Sequence, residues 1–496
     1  MPLYSSGNPL GPSKPTPINT LHVKPTPFTP IDIYSGYRHH FLSGATNEGT
    51  NIYSFGTGEA FRLGLDDDAD REEPEIVPSL THKTISSIAC GREHSIFLLT
   101  TGRVYGCGWG EAGRVGVGKD EGEIKGIKPI DQFKMFRDSE PCNDVRIKAI
   151  AAGREHSLFV EKYQGFVFAC GAGFGGRLGL ARKDGKDADS LFPVMCDIHV
   201  ADAVRNRYIK ATGTETLPAS DSVVAPKLLK KISKVAAGDL HSVAVAEDGR
   251  VITWGFGDSG ALGRQKPNDE SKPNDESFIS HIPEHVEFKE KESNYASHPK
   301  IVEVQCGGYH TICLDDKGEV YIWGDGADGQ LGIGERTSMF SATKVKLPQK
   351  AKQIAAGFCT SGVVDVTGDI YLWGSKEGQD GKEPEAEEMI PVKVKTVEDG
   401  FFVDVKYDKI ALAGYSLIAS VKPPRLGVVR RGGGVRADSV GGIDRGAGRS
   451  NRPRRVNFKG VNKKLLHSSV LTKAVAGSRA QMSACGSLKA LNMGGK

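Results

Sequence analysis

Short apolar runs alternate with polar turns along the chain, and the same order of runs returns at intervals of about 50 to 85 residues. A first apolar run ends in a small residue and glycine, and a second run opens with histidine three residues later. A third run enters a glycine-rich loop. First halves read IACGREHSIFLL, IAAGREHSLFV, VAAGDLHSVAV and VQCGGYHTICL; second halves read VYGCGWGEAGRVG, VFACGAGFGGRLG, VITWGFGDSGALG and VYIWGDGADGQLG. β-Branched and aromatic residues at a period of two predict β-strands.

A unit with so few short strands cannot bury both of its faces alone, so repetition at this spacing predicts a stacked or radial array. Four short strands per unit are typical of a propeller blade, and closure of the ring protects the sheet edges. Six units and a terminal half-unit at Val403–Val421 predict an all-β, seven-bladed β-propeller. We expect an N-terminal strand to complete the last blade.

Composition divides the chain into three parts. Residues 1–30 contain eight prolines and should form an extended arm, or less favourably an SH3-type ligand at Pro12–Pro15. Residues 31–421 are the predicted propeller, with polar insertions near 182–231 and 265–300. Residues 422–496 form a Gly/Arg-rich, largely irregular tail. From Pro423 onward the net charge is +14, which leaves −10 on the preceding residues.

The tail is a candidate site for an acidic partner, because clustered cations attract phosphate and acidic protein surfaces. A solvated tail without a partner is an equally weighted alternative. The candidate residues are Arg430, Arg431, Arg452, Arg454, Arg455, Lys463 and Lys464.

The glycine loops contain a G-x-G-x-x-G string, which in other proteins binds dinucleotides. That activity requires the loop to open a helix, whereas these strings recur once per unit and run into polar loop. We therefore interpret them as turn glycines. The repeated histidines, such as His94, are interpreted as packed residues bonded within their own blades, and the cysteines as small hydrophobic residues. The sequence predicts no catalytic residues, no metal site and no cofactor.

Acidic residues on these loops are candidates for binding a protein partner. They are Glu111, Asp258, Asp325 and Asp328. Ordinary turn chemistry is the favoured alternative, since Asp often accepts hydrogen bonds from the backbone of its own turn.

The compound pattern resembles the repeat of the regulator of chromosome condensation family over about residues 31–421. The resemblance implies a propeller that binds proteins. Family members include exchange factors for the small GTPase Ran that bind chromatin, and scaffolds in cilia, ubiquitin ligases and light receptors. Two features differ: the basic arm is C-terminal here, and the Asp-Asn-x-Gly loops of the family read GEAG, GFGG, GDSG and GADG.

We therefore expect a non-enzymatic scaffold whose loop face binds a protein partner, and whose tail tethers it to tubulin, a nucleosome or nucleic acid. The alternative is a guanine-nucleotide exchange factor for a Ran-type small GTPase, which breaks no covalent bond. No apolar run of about 18 residues and no secretory signal occur, so we expect a cytoplasmic (cytoskeletal or ciliary) or nuclear protein.

Overall fold

The computed structural model describes residues 2–6, 20–47, 49–120, 122–135, 140–142, 144–180, 187–196, 231–265, 277–286, 288, 298–375, 389–398, 401–414 and 417–421. The chain divides into one compact unit over Met1–Pro423 and a second over Pro424–Lys496. The second unit, and with it every candidate residue of the basic tail, lies outside the described residues.

Six antiparallel four-stranded sheets, called blades 1 to 6, follow one another along the chain, and in each the strands pair in chain order. Blade 1 comprises β3 (Thr29–Ser35), β4 (His39–Thr46), β5 (Gly49–Gly56) and β6 (Arg71–Ile76); blade 2 comprises β7 (Ile85–Cys90), β8 (His94–Leu99), β9 (Val104–Trp109) and β10 (Glu123–Ile130); blade 3 comprises β11 (Ile147–Ala152), β12 (His156–Glu161), β13 (Val167–Gly171) and β14 (Ser190–Met195). Blade 4 comprises β15 (Ile232–Ala237), β16 (His241–Ala246), β17 (Val251–Phe256) and β18 (Ile279–His285); blade 5 comprises β19 (Ile301–Cys306), β20 (His310–Asp315), β21 (Val320–Gly324) and β22 (Met339–Lys344); blade 6 comprises β23 (Ala351–Ala356), β24 (Thr360–Asp365), β25 (Ile370–Gly374) and β26 (Val392–Lys393). Short 3-10 turns lie at Glu59–Phe61, Pro78–Leu80, Glu111–Gly113 and Phe174–Gly176.

The remaining strands form one six-stranded sheet, which we call the terminal sheet. Its strands are β1 (Pro2–Ser6), β2 (Thr20–Pro25), β27 (Lys395–Glu398), β28 (Phe401–Val403), β29 (Lys409–Leu412) and β30 (Leu417–Ser420). They pair in the order β28-β27-β2-β1-β30-β29, and β2 runs parallel to β27. The expected N-terminal closing strand is confirmed, because β1 pairs antiparallel with β30.

The expected count of seven blades is wrong, because the described chain forms six four-stranded blades. A seventh four-stranded antiparallel unit does not form, because the segments from both chain ends combine into the mixed six-stranded sheet instead. The first strands of the blades and β29 contact one another in a closed cycle. Six blades and the terminal sheet thus complete the ring.

Successive blades are joined through buried side chains on their third strands. Trp254, Trp323 and Trp373 each donate an indole hydrogen bond of 2.9 Å to a backbone carbonyl in the glycine loop of the preceding blade. Cys107 and Cys170 occupy the same repeat position in earlier blades and are fully buried. The interpretation of these residues as core is confirmed, and a buried Trp N–H needs such an acceptor.

The turn between the first two strands of a blade lies at the same edge as its glycine loop. Gly108 at the end of β9 pairs with His94 at the start of β8, and the other blades repeat this register. We call this edge of the ring the mouth face. Each glycine loop leads into an outer strand, as the interpretation of turn glycines requires. Both polar insertions contain the outer strand of their blade, β14 and β18, and residues 197–230, 266–276 and 289–297 within them lie outside the described part.

Candidate functional site

In blades 1 to 5 the first strand ends at the mouth face in a turn of the form Gly-x-x-His, whereas blade 6 has Thr360 in place of the histidine. The glycine of the turn is sterically required. A Cβ added to Gly91 would lie 2.4 Å from His94 Cε1 and 2.5 Å from the carbonyl oxygen of Gly153 on the next blade. Both distances are shorter than any van der Waals contact, so the histidine ring and the neighbouring turn pack directly on the glycine. The repeat motif therefore encodes the contact between blades.

The turns are also joined to one another by backbone hydrogen bonds around the ring. These bonds are Gly414 N to Tyr37 O (3.0 Å), Tyr37 N to Gly91 O (3.3 Å), Arg92 N to Gly153 O (3.2 Å), Arg154 N to Gly238 O (3.2 Å), Asp239 N to Gly308 O (2.9 Å) and Gly308 N to Phe358 O (2.9 Å). The backbone positions that carry the side chains of these turns are consequently fixed relative to one another.

The repeated histidines are fully buried, which confirms that they are packed residues. Their expected bonding within one blade is wrong, because each ring bonds a hydroxyl of the next blade. His94 Nε2 lies 2.8 Å from Ser157 Oγ, and that hydroxyl donates to the carbonyl of Arg114 at 2.7 Å. Ser157 must therefore accept from His94, which places the ring proton on Nε2. The other pairs are His39–Ser95, His156–Ser242, His241–Thr311 and His310–Ser361.

The residues immediately after the repeat glycines line a small pocket at the centre of the mouth face, which we call the central pocket. Its volume is about 90 Å³. Its larger side chains are Tyr37, Arg92, Arg154, Asp239 and Phe358. All of them except the buried Asp239 are half-buried, so the pocket is rigid but open to a partner.

Aromatic and charged groups occupy different parts of this pocket. The Tyr37 and Phe358 rings meet edge to face, with centroids 5.5 Å apart, and the guanidinium of Arg92 lies 5.4 Å from the Tyr37 centroid. On the other side Arg154 Nη1 lies 3.4 Å from Asp239 Oδ2. Burial raises the pKa of Asp239 to about 6, although Arg154 and Arg92 oppose that shift.

In two turns the second residue after the glycine is a glutamate that pairs with an arginine of a glycine loop. Glu93 lies 3.3 Å from Arg114, and Glu155 lies 3.1 Å from Arg177. Both arginines belong to glycine loops, and their side chains are only 5% and 2% exposed. Arg177 also donates to the carbonyl of Asp239 at 3.2 Å. These ion pairs connect the glycine loops to the central pocket.

The candidate acids of the sequence analysis lie on the outer glycine loops of the mouth face. Asp258 accepts a hydrogen bond from Phe278 N. Asp325 accepts from Ala327 N at 3.2 Å and Gln330 Nε2 at 3.2 Å, and Asp328 N donates to the same Gln330 side chain at 2.8 Å.

Glu111 accepts from Trp109 Nε1 at 2.8 Å and lies 3.9 Å from Arg114. The structure therefore brings Asp325 and Asp328 together on blade 5 and leaves Asp258 and Glu111 on blades 4 and 2. The carboxylates of Glu111 and Asp325 have partners within their own loops, and that of Asp258 accepts from the residue before its outer strand. A role for them in binding a protein stays a prediction.

The sequence analysis missed the residues of the central pocket. One signal could have found them. The position after the repeat glycine is Tyr, Arg, Arg, Asp, Gly and Phe in successive units, while the flanking Gly and His positions hardly change. A variable position inside an otherwise repeated turn indicates a surface that each blade contributes differently.

Two further properties of the described residues bear on function. No group of three or more His, Cys, Asp or Glu side chains is placed there to hold a metal ion. No helix in the same residues is long and apolar enough to cross a membrane.

Comparisons with known proteins agree with the repeat. The model of the regulator of chromosome condensation (RCC1) repeat matches residues 51–98, 101–160, 248–314 and 317–361, and a second model of this repeat matches residues 85–114, 232–261 and 301–330.

Two curated relatives are similar over most of this chain. The ultraviolet-B receptor UVR8 of Arabidopsis thaliana is 29% identical over 73% of this chain and 70% of its own length. The probable E3 ubiquitin-protein ligase HERC6 of Homo sapiens is 27% identical over 77% of this chain, which spans only 32% of that protein.

Solved structures show the same fold. Prp20p of Saccharomyces cerevisiae, studied with its binding properties to Gsp1p and histones, superposes with a TM-score of 0.62 at 20% identity, over 86% of this chain and 93% of that one. Human WBSCR16 superposes with a TM-score of 0.60 at 18% identity, over 84% and 98%. With the repeat matched by both models and the propeller in place, this chain contains regulator of chromosome condensation (RCC1) repeats that fold as the blades of a β-propeller.

Proposed function

We propose that this protein is a non-enzymatic interaction scaffold that binds a protein partner on its mouth face. The observation that carries the proposal is the central pocket. Its volume of about 90 Å³ is far below the roughly 300–1,000 Å³ of small-molecule sites. Yet it presents Arg92, Arg154 and Tyr37, and Arg and Tyr are among the residue types that dominate the energetics of protein interfaces.

Affinity purification from cells with a paired set of variants tests this proposal. Arg92→Ala with Arg154→Ala alters the pocket. Lys317→Ala with Lys346→Ala removes two exposed cations from loops at the opposite edge of the blades. We expect a partner to be lost with the pocket pair alone. A partner recovered equally with both pairs would show that the pocket is not the binding surface.

The second candidate is guanine-nucleotide exchange on a Ran-type small GTPase. Its support is the fold shared with Prp20p and the acids of the glycine loops on the same face as the pocket. Exchange would need only the non-covalent displacement of nucleotide. A release assay with a purified GTPase carrying fluorescent GDP tests it. If the protein at micromolar concentration did not accelerate release of the GDP, exchange activity would be ruled out as its function.

We also propose that the basic tail tethers the propeller to an acidic polymer, namely microtubules, nucleosomes or nucleic acid. The support is its net charge of +14 from Pro423 onward, which favours salt-dependent binding to polyanions. Deletion of residues 423–496 should abolish co-sedimentation with microtubules or nucleosomes at low salt. Full retention of binding would refute the tether. The polymer identified would also decide between a cytoskeletal or ciliary location and a nuclear one.

A further inference from the structure

The central pocket is cationic, and the loops that surround it are acidic. The charged residues that line it are Arg92, Arg154 and Asp239, of which Asp239 has an 11% exposed side chain and faces Arg154. The outer loops carry acidic residues on several blades; they are Glu59, Glu111, Asp258, Asp325 and Asp328. Two arginines, partly offset by Asp239, thus lie at the centre of the mouth face, and acidic side chains lie on the loops around it.

The size and stiffness of the pocket restrict what it accepts. A volume of about 90 Å³ has room for one side chain of a partner. The backbone bonds between neighbouring turns fix Arg92 and Arg154 on adjacent blades before binding. Such preorganisation reduces the entropy lost when a partner docks.

We propose that the central pocket receives one carboxylate side chain, Asp or Glu, that protrudes from a basic surface of a protein partner. This inference rests on the proposed interaction function and names the chemistry that the same site recognises. Arg92 and Arg154 bind the carboxylate, and the acidic outer loops face the basic residues around it.

The geometry of the cations supports an anion in this position. An arginine fork matches a carboxylate with two parallel hydrogen bonds. Arg154 is already oriented by Asp239 at 3.4 Å and by Glu155 at 3.6 Å, so its guanidinium is positioned at the pocket wall. Arg92 is oriented by the Tyr37 ring at 5.4 Å.

The aromatic side of the pocket offers an apolar surface for the methylene groups of the incoming side chain. The Phe358 ring packs between Tyr37, with centroids 5.5 Å apart, and Tyr309, with centroids 6.2 Å apart. A Cβ at Gly308 would lie 2.8 Å from the Phe358 ring, so glycine is needed there for this packing. The methylene groups of an inserted Glu would lie against this surface, as the apolar stems of polar residues commonly do.

Three disulfide-closed peptides test the proposal against the full chain by fluorescence anisotropy. The first presents a single Glu at its turn between flanking lysines. The second has Gln in place of the Glu, and the third has phosphoserine. We expect the Glu peptide to bind at least tenfold more tightly than the Gln peptide, and no less tightly than the phosphoserine peptide.

Variants of the pocket should remove this preference. Arg92→Gln or Arg154→Gln should weaken the Glu peptide at least tenfold and leave the Gln peptide within twofold. Asp239→Asn, which removes the competing carboxylate, should tighten the Glu peptide severalfold at pH 7. The control pair Lys317→Gln with Lys346→Gln, at the opposite edge of the blades, should change the affinity of neither the Glu peptide nor the Gln peptide. Far-UV circular dichroism and the Tm verify that each variant is folded.

The outcomes separate this inference from the function on which it rests. If the Glu and Gln peptides bound equally and both lost binding in Arg154→Gln, the pocket would not be specific for a carboxylate. The proposal that the mouth face binds a protein would still stand. Binding that no pocket variant alters would overturn both. A tenfold preference for the phosphoserine peptide would show that the pocket recognises a phosphate and not a carboxylate. Absence of binding up to millimolar peptide would also overturn the proposal.

Discussion

The five buried histidines between blades should make this propeller sensitive to acid. Each is fully buried and hydrogen-bonded through Nε2 to the next blade, while Nδ1 is buried and has no partner. A second proton on Nδ1 would place an unsolvated charge inside the ring. Burial lowers the pKa of His94 and His310 to about 3 and that of His241 to about 4.

The magnitude follows from the difference between the folded and unfolded states. An unfolded histidine has a pKa of about 6.5. Because the folded pKa is lower, the stabilisation is complete above pH 6.5 and is lost as the pH falls toward the folded pKa. At pH 5 a histidine is protonated in the unfolded state but stays neutral in the folded state. This difference lowers the free energy of unfolding by about 2 kcal/mol per histidine. Three such residues, His94, His241 and His310, would together lose ~6 kcal/mol, which is a large part of the total stability of a typical domain.

His94→Gln isolates one of these contributions. The glutamine amide retains a donor for Ser157 but does not titrate. Urea unfolding followed by tryptophan fluorescence at pH 7 and pH 5 measures the effect. At pH 7 the wild type should be the more stable protein, because glutamine fills the histidine cavity imperfectly. At pH 5 that advantage should be smaller by about 2 kcal/mol.

A matched control uses His82, which is exposed on the opposite edge of blade 1. His82→Gln should change stability equally at the two pH values. If the difference between wild type and His94→Gln stays within about 0.5 kcal/mol from pH 7 to pH 5, then His94 accepts a proton in the folded ring. The account of a neutral, buried histidine between blades would then be wrong.

Three other predictions concern the ring itself. Gly175 and Gly179 both have positive φ (73° and 62°), but an added Cβ would make an ordinary 3.5 Å contact at Gly175 and would lie 2.8 Å from Trp254 Nε1 at Gly179. Gly175→Ala should therefore lower the free energy of unfolding by ~1–2 kcal/mol, and Gly179→Ala should lower it clearly more. Equal losses in urea unfolding would contradict this. Deletion of residues 2–25 removes both N-terminal strands of the terminal sheet and should lower the Tm of the whole ring; an unchanged calorimetric transition would disprove that β1 closes it. Trp373→Phe removes an indole hydrogen bond and part of a buried ring, and should cost about 2–4 kcal/mol. A loss below about 1 kcal/mol in urea unfolding would show that this contact between blades contributes little.

Much of the fold depends on residues that are close together in the sequence and could therefore be predicted from the sequence. Alternation of apolar and polar positions specifies strands within ten residues, and repetition of that pattern specifies blades. The burial of Trp323 and Cys107, and the role of the glycine strings as turns, follow from comparing one unit with the next. The N-terminal closing strand follows as well, because an incomplete unit needs another strand to cover its edge.

Contacts between units required the tertiary structure. The blade count of seven was wrong because the terminal sheet combines segments nearly 400 residues apart, including the parallel pair Thr20–Lys395, and no local pattern encodes such a pairing. His94 bonds Ser157, 63 residues away, so its partner could not be read from its own blade. The central pocket likewise exists only because the ring brings Tyr37, Arg154 and Phe358 together. Local periodicity determines the strands, whereas closure of the ring decides which of their side chains meet.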